Sequence, residues 1–136
     1  MGTGGVTMHH LLRLADEQRV RVVERTGRTR GGYDPATRTI RLSPGMSVRT
    51  TRSVLAHELG HAALGHVPAP TPAIRAQQER QADEWAASQL ITPRTYAEAE
   101  AVRGPHLASL AFELEVTIEL VTAYQRLLRQ TILVAG

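Results

Sequence analysis

Cysteine is absent from this chain of 136 residues. Its absence excludes disulfide bonds, thiolate metal sites and a cysteine nucleophile. Aromatic residues are also scarce at 4%, so the hydrophobic content of 42% comes mainly from alanine, valine, leucine and isoleucine. A chain of this size can form a hydrophobic core without covalent cross-links. We therefore expect one globular unit with at most a small appendage.

Lysine is absent as well, and all 16 basic residues are arginines. Residues 1–52 contain ten arginines and four acidic residues, whereas residues 53–136 contain six arginines and nine acidic residues. The basic N-terminal part could contact nucleic acid or an acidic partner. A solvated, arginine-rich face of a sheet explains the same pattern, and we favour that interpretation.

Long apolar runs are missing too. No stretch approaches the roughly 20 residues that a membrane-spanning helix needs. The first 18 residues have neither the basic start nor the apolar run of a secretory signal. We therefore expect a soluble, cytoplasmic protein that does not cross a membrane.

Hydrophobic periodicity divides the chain into helices and short strands. Helices are predicted at residues 7–18, 47–65, 73–91, 94–102, 107–114 and 118–133, and strands at residues 19–22, 28–33 and 38–42. The expected fold class is α+β, with a small, largely antiparallel sheet packed on two long helices. We expect residues 1–103 to form the core and residues 104–136 to form a C-terminal helical segment packed on it.

The most specific motif is HELGH, residues 57–61, in the first long helix. Residues four apart on a helix share a face, so His57 and His61 can direct imidazole nitrogens at one metal ion. Glu58 can take a proton from a water molecule that zinc has made acidic. Apolar residues on both sides of the helix predict that it is buried, and Gly60 predicts close packing by another element. The alternative is a hydrogen-bonded pair of core histidines.

A catalytic zinc site of this kind needs a third protein ligand. On the second long helix, Glu79 and Asp83 lie on the apolar stripe that faces the core, where an ionised carboxylate needs a metal or an ion-pair partner. We assign Glu79 as the third ligand and Asp83 as the acceptor for a ring N–H of a ligating histidine. Pairing of one of them with an arginine is the alternative. His66 falls on the helix face opposite the site, so we reject it as a ligand.

Three segments together resemble the ImmA/IrrE family of metallopeptidases, a gluzincin-like group. They are GYDPATRTIRLSP (residues 32–44), LAHELGHAALGH (residues 55–66) and ERQADEWAASQLITP (residues 79–93). The resemblance implies a zincin-like metallopeptidase core within residues 1–103 and one zinc ion per chain. The ligands that it implies are His57, His61 and Glu79, with Glu58 as the general base.

Members of this family act in phages, mobile elements and stress responses, where they inactivate a helix-turn-helix repressor. The resemblance therefore implies a zinc-dependent endopeptidase whose protein substrate is a transcriptional repressor. The alternative is a regulatory protein that binds a repressor or DNA without cutting it, and whose metal site is structural or vestigial. The intact Glu58 favours the enzyme, since a purely structural site needs no base.

The C-terminal segment has the apolar spacing of a helix-turn-helix over residues 107–128. It carries Glu113, Glu115 and Glu119 but only two arginines, which is too little positive charge for contacts to DNA phosphates. We therefore expect it to pack on the core or to recognise the substrate.

A peptidase also needs a donor that stabilises the oxyanion, and it needs a surface that holds the substrate. Residues that could supply that donor or line the cleft are His66, Tyr33, Tyr96 and Arg94. The edge of the small sheet could hold the substrate as an added strand.

Overall fold

The computed structural model describes residues 7–135, with side chains described as far as residue 132. The helices are α1 (Met8–Glu17), α2 (Val48–Ala63), α3 (Pro72–Leu90), α4 (Pro93–Arg103), α5 (Leu107–Leu114) and α6 (Ile118–Ala135). The strands are β1 (Arg21–Glu24), β2 (Gly31–Asp34) and β3 (Thr39–Leu42). The predicted α+β class is confirmed, and each predicted element is present with ends that differ by a few residues. Residues 1–6 and residue 136 lie outside the described residues. The first 18 residues, in which no secretory signal was expected, are therefore described only from residue 7.

Hydroxyl side chains define where four of the helices begin. The N-cap residues Thr7, Ser47, Thr71 and Thr92 each accept a hydrogen bond from a backbone N–H in the first turn of the helix that follows. These bonds satisfy donors that have no partner within the helix. Proline opens both α3 and α4, a position where its missing N–H removes no helical hydrogen bond.

The sheet is mixed, which corrects the prediction of a largely antiparallel one. Its strand order is β1-β3-β2, with β1 parallel to β3 and β2 antiparallel to β3. The loop of residues 25–30 therefore crosses the end of β3 to connect the two outer strands. Alternation of polar and apolar residues predicts which face of a strand is buried, but it does not predict which strands are neighbours.

Helix α2 lies at the centre of the molecule, since it packs against the sheet, α1 and α3. The turn between α5 and α6 is fastened to it, because Arg52 donates to the carbonyl oxygen of Glu115 and Ser53 accepts from the N–H of Thr117. One cluster of buried residues spans the sheet and the C-terminal helices. The division of the chain at residue 103 stays a prediction.

Membrane crossing was not expected, and none of the described helices is both long and apolar enough to cross a bilayer.

The predicted close packing at Gly60 is confirmed. A Cβ atom at this position would lie 2.9 Å from the carbonyl oxygen of Ala82, 3.1 Å from its Cα and 3.3 Å from a ring carbon of Trp85. Helices α2 and α3 therefore approach each other so closely that a residue larger than glycine does not fit at position 60 without a shift of the backbone. This approach places the face of α2 that carries His57 and His61 next to α3.

We expect the Gly60→Ala substitution to lower the free energy of unfolding by about 1 to 3 kcal/mol, because it forces the backbones apart. In a helix with no close neighbour at this position, the same substitution would raise the free energy of unfolding by about 1 kcal/mol. Urea unfolding measures the sign directly. Gly32→Ala is the control, because a Cβ there would meet no atom within 4 Å. A more stable Gly60→Ala variant would contradict the close packing.

Candidate metal centre

Two histidines of α2 point their Nε2 atoms at the same place. His57 and His61 lie one helical turn apart, and their Nε2 atoms are 3.1 Å from each other. The rings are nearly perpendicular, at 88°, and both side chains are largely buried. Two such nitrogens, each with a lone pair, form half of a tetrahedral zinc site.

Glu79 of α3 meets both histidines. Its carboxylate oxygens lie 3.3 Å from Nε2 of His57 and 2.9 Å from Nε2 of His61. The side chain is 51% exposed, which corrects the prediction that it faces the core. The helical wheel placed it on the apolar stripe, but it lies at the open mouth between α2 and α3.

The spacing of these atoms is close to the spacing that one metal ion requires. Two ligands of a tetrahedral zinc ion lie about 3.3 to 3.6 Å apart when each is about 2.0 to 2.2 Å from the metal. The three distances among the His57, His61 and Glu79 atoms are 2.9, 3.1 and 3.3 Å, so two of the three pairs would separate by a few tenths of an ångström around an ion. Ligand atoms of His57, Glu58 and His61 also lie within 4.8 Å of one another, so this His-Glu-His group could hold a metal. The choice of Glu79 as the third ligand stays a prediction.

Asp83 orients His57. Its Oδ1 lies 2.7 Å from Nδ1 of His57, on the side of the ring that faces away from the other ligands. A carboxylate can only accept here, so Nδ1 carries the proton and Nε2 keeps its lone pair in the neutral ring. The sequence predicted such a contact for Asp83, and its role beside a metal ligand stays a prediction.

His66 orients His61 in the same manner. Nδ1 of His66 lies 2.9 Å from Nδ1 of His61, and Nε2 of His66 lies 2.8 Å from Oε1 of Gln81. Because the Gln81 oxygen accepts, His66 can carry its proton on Nε2 and accept from Nδ1–H of His61. With a metal ion bound, this tautomer would leave Nε2 of His61 unprotonated, whereas without a metal Nε2 donates to Glu79.

The predicted position of His66, on the opposite face of the helix, is wrong. Helix α2 ends at Ala63, and Gly65 (φ 68°) reverses the chain. The N–H of His66 then donates to the carbonyl oxygen of His61, which returns the side chain to the site. Gln81 was not predicted as part of the site, because its side chain is exposed.

The carboxylates around His57 keep it protonated when no metal is bound. Burial lowers the pKa of His57, but hydrogen bonds to Asp83 and Glu79 and the nearby charges of Glu58 and Asp83 outweigh it and raise this pKa to about 10. Hydrogen bonds from His57 and His61 hold the pKa of Glu79 far below its usual value. A metal ion that binds at this place must therefore displace a proton from His57.

Glu58 is buried beside this group, with only 7% of its surface exposed. Burial raises its pKa, and the two neighbouring histidines oppose this change. A Cβ atom on Gly31 of β2 would lie 3.6 Å from Oε2 of Glu58, so the sheet covers the carboxylate.

Two clefts border the group of His57, Glu58 and Glu79. The first contains Thr29, Arg30, Gly31, Thr117 and Glu119, and the second contains Thr29, Gly31, Tyr33, His66, Val67 and Arg75. Thr29 and Gly31 belong to both clefts, and we did not predict them. The glycine pair at residues 31–32 was the available signal, since glycine within a strand often marks a close approach of other groups.

The structure separates the four residues suggested for the cleft or the oxyanion. Tyr33 and His66 line the second cleft. Tyr96 and Arg94 line neither cleft, which contradicts their suggested role. Tyr96 is 8% exposed, stacks on Tyr124 and accepts a hydrogen bond from Gln125, whereas the side chain of Arg94 is 87% exposed and pairs with Glu98. Both belong to α4, which takes no part in the site.

Comparison with known proteins agrees with the resemblance seen in the sequence. A sequence model of a peptidase family, described as the IrrE N-terminal-like domain, matches residues 15–124. The matched region contains HELGH, Glu79 and Asp83, and it extends into α6. No curated protein matches the chain with a significant score.

We expect the Asp83→Asn substitution to weaken zinc binding by about 10-fold to 100-fold, because His57 loses the carboxylate that orients it. Competition with a coloured chelator measures the affinity. Glu98→Gln is the control, since it alters an exposed carboxylate of α4. Equal affinities of the two variants would exclude this role for Asp83.

The raised pKa of His57 should make the stability of the metal-free chain depend on pH. The unfolded chain releases this proton near pH 6.5, whereas the folded chain keeps it up to about pH 10. The stabilisation is therefore complete below about pH 6.5 and is lost as the pH rises towards about 10. Urea unfolding at several pH values would measure the decline.

The free energy of unfolding should fall less with rising pH in His57→Gln than in the parent. It should fall as much as in the parent in His106→Gln, which alters an exposed histidine. If all three chains lost stability equally, His57 would not be the group responsible.

Proposed function

The chain belongs to the IrrE N-terminal-like peptidase family, and from this premise we propose that it is a zinc-dependent endopeptidase. The observation that carries the proposal is the convergence of His57, His61 and Glu79, whose ligand atoms lie 2.9 to 3.3 Å apart beside the buried Glu58. A zinc ion there would act as the Lewis acid that polarises a peptide carbonyl and acidifies a water molecule.

Glu58 is the proposed general base. Its carboxylate accepts a proton from the attacking water and passes it to the leaving amine. Burial, which raises its pKa, favours this double role, because a carboxylate of higher pKa accepts a proton more readily. Gly31 of β2 lies beside the carboxylate, because a Cβ atom there would lie 3.6 Å from Oε2.

Strand β2 is the proposed docking edge for the substrate. It lies at one side of the sheet, and Gly31, Gly32 and Tyr33 form one wall of the second cleft. An extended peptide that adds to this edge would pass in front of His57 and Glu58. The family resemblance supports a helix-turn-helix transcriptional repressor as the natural substrate.

The sharpest test separates zinc binding from cleavage. The parent and three variants are given zinc, and a proteome-derived peptide library is digested and read by mass spectrometry. Glu58→Gln should keep about one zinc per chain but lose cleavage by at least about 100-fold, because only the base is removed. Glu79→Gln should lose zinc and cleavage together, whereas Glu98→Gln should behave as the parent does.

Cleavage that survives in Glu58→Gln would contradict the proposed mechanism. A parent that binds zinc and cuts no peptide would leave the regulatory alternative. Incubation with purified helix-turn-helix repressors then distinguishes the two functions: a peptidase yields two fragments, and a sequestering protein yields an uncut complex by size-exclusion chromatography.

A further inference from the structure

The loop of residues 25–30 lies between the outer strands of the sheet and forms part of both clefts. It crosses the end of β3, since the N–H of Arg25 donates to the carbonyl oxygen of Leu42 and the N–H of Ser43 donates to that of Arg30. The loop has no helix or strand of its own. Its last residues lead directly into Gly31, the first residue of β2.

The side chain of Arg41, on the central strand β3, holds this loop by hydrogen bonds. The guanidinium of Arg41 donates to the carbonyl oxygens of Arg25 and Thr29, at 2.9 and 2.8 Å, and to the hydroxyl oxygens of Thr29 and Ser43, at 2.8 and 3.1 Å. A Cβ atom on Gly27 would lie 2.6 Å from Cζ of Arg41, so the loop backbone rests on the plane of the guanidinium. Both ends of the loop are therefore tied to one planar group.

The contacts of Arg41 continue to the wall of the candidate site. The hydroxyl of Thr29, which accepts from Arg41, itself donates to the carbonyl oxygen of Gly31 at 2.9 Å. A Cβ on Gly31 would lie 2.6 Å from Val54, 2.9 Å from the carbonyl oxygen of Arg41 and 3.6 Å from Glu58. The start of β2 therefore packs so closely against α2 and β3 that no side chain fits at residue 31, and the loop contacts hold it from the other side.

We propose that Arg41 is a positioning residue: by fastening the loop of residues 25–30 it fixes the start of β2, and with it the path of the peptide, against Glu58. The inference rests on the proposed function for its catalytic consequence, but the fastening of the loop is independent of that function. Arg41 also acts on Glu58 through its charge, which lowers the pKa of that carboxyl, but both Arg41→Lys and Gly27→Ala keep this charge and disturb only the fastening. A lysine cannot replace it, because an ammonium group lacks the planar fork that spans Arg25, Thr29 and Ser43.

Hydrogen exchange tests the fastening directly. In Arg41→Lys, the amides of residues 26–31 should exchange faster than in the parent, while those of α2 and α3 should be unchanged. Gly27→Ala should have the same effect without removing the arginine, because its methyl group enters the space of the guanidinium. The matched control is Arg38→Lys, since Arg38 donates to the carbonyl oxygens of Gln18 and Arg19, away from both clefts.

Kinetics on a peptide from the library test the catalytic consequence. In Arg41→Lys and Gly27→Ala, kcat should fall by about 10-fold to 100-fold with a smaller change in KM, since a misplaced scissile bond lowers kcat. Zinc content and Tm should stay close to those of Arg38→Lys. A purely structural role would instead lower Tm and leave kcat of the folded enzyme unchanged.

Unchanged exchange at residues 26–31 in both variants would overturn the proposal, as would faster exchange with an unchanged kcat. If the parent cuts no peptide while Arg41→Lys and Gly27→Ala still loosen the loop, the peptidase assignment has failed. The proposed fastening of β2 by Arg41 would still be supported in that case.

Discussion

The candidate site depends on the close approach of α2 and α3 at Gly60. The two histidines belong to one helix and Glu79 to the other, so the distance between the helix axes decides whether the three ligand atoms can converge. Atoms of Ala82 and Trp85 occupy the space that any side chain at residue 60 would need. A larger residue would separate the helices and widen distances that now lie between 2.9 and 3.3 Å.

Burying this many ionisable groups is costly unless they satisfy one another. His57 lies between the carboxylates of Asp83 and Glu79, and His61 lies between Glu79 and His66. The metal-free site is therefore already ordered by hydrogen bonds, with the proton on His57 in the place of a cation. A metal ion would replace that proton rather than assemble the site, because the ring nitrogens are already aimed at one point.

The small sheet forms part of the walls of both clefts beside the candidate metal centre. Its edge strand meets the buried carboxylate at Gly31, and the loop that crosses β3 forms part of the wall of both clefts. Arg41 lies on the central strand, where its guanidinium reaches the two ends of that loop. The sheet thus determines where a bound peptide would lie, whereas the helices determine what chemistry it would meet.

Local periodicity was enough to predict the helices and strands and the shared face of His57 and His61, since each of these depends on neighbours along the chain. The close packing at Gly60 was predicted from the residue itself, because a glycine within a buried helix is costly unless another element approaches it closely. The position of Asp83 also followed, because it repeats the face of Glu79 one turn later. Only the tertiary structure decided the strand order, the return of His66 through the Gly65 turn, the exposure of Glu79 and the separation of α4 from the site. The strand order, the exposure of Glu79 and the position of α4 depend on how one element is oriented relative to another, and His66 depends on a turn beyond the end of its helix. Hydrophobic periodicity carries no information about either.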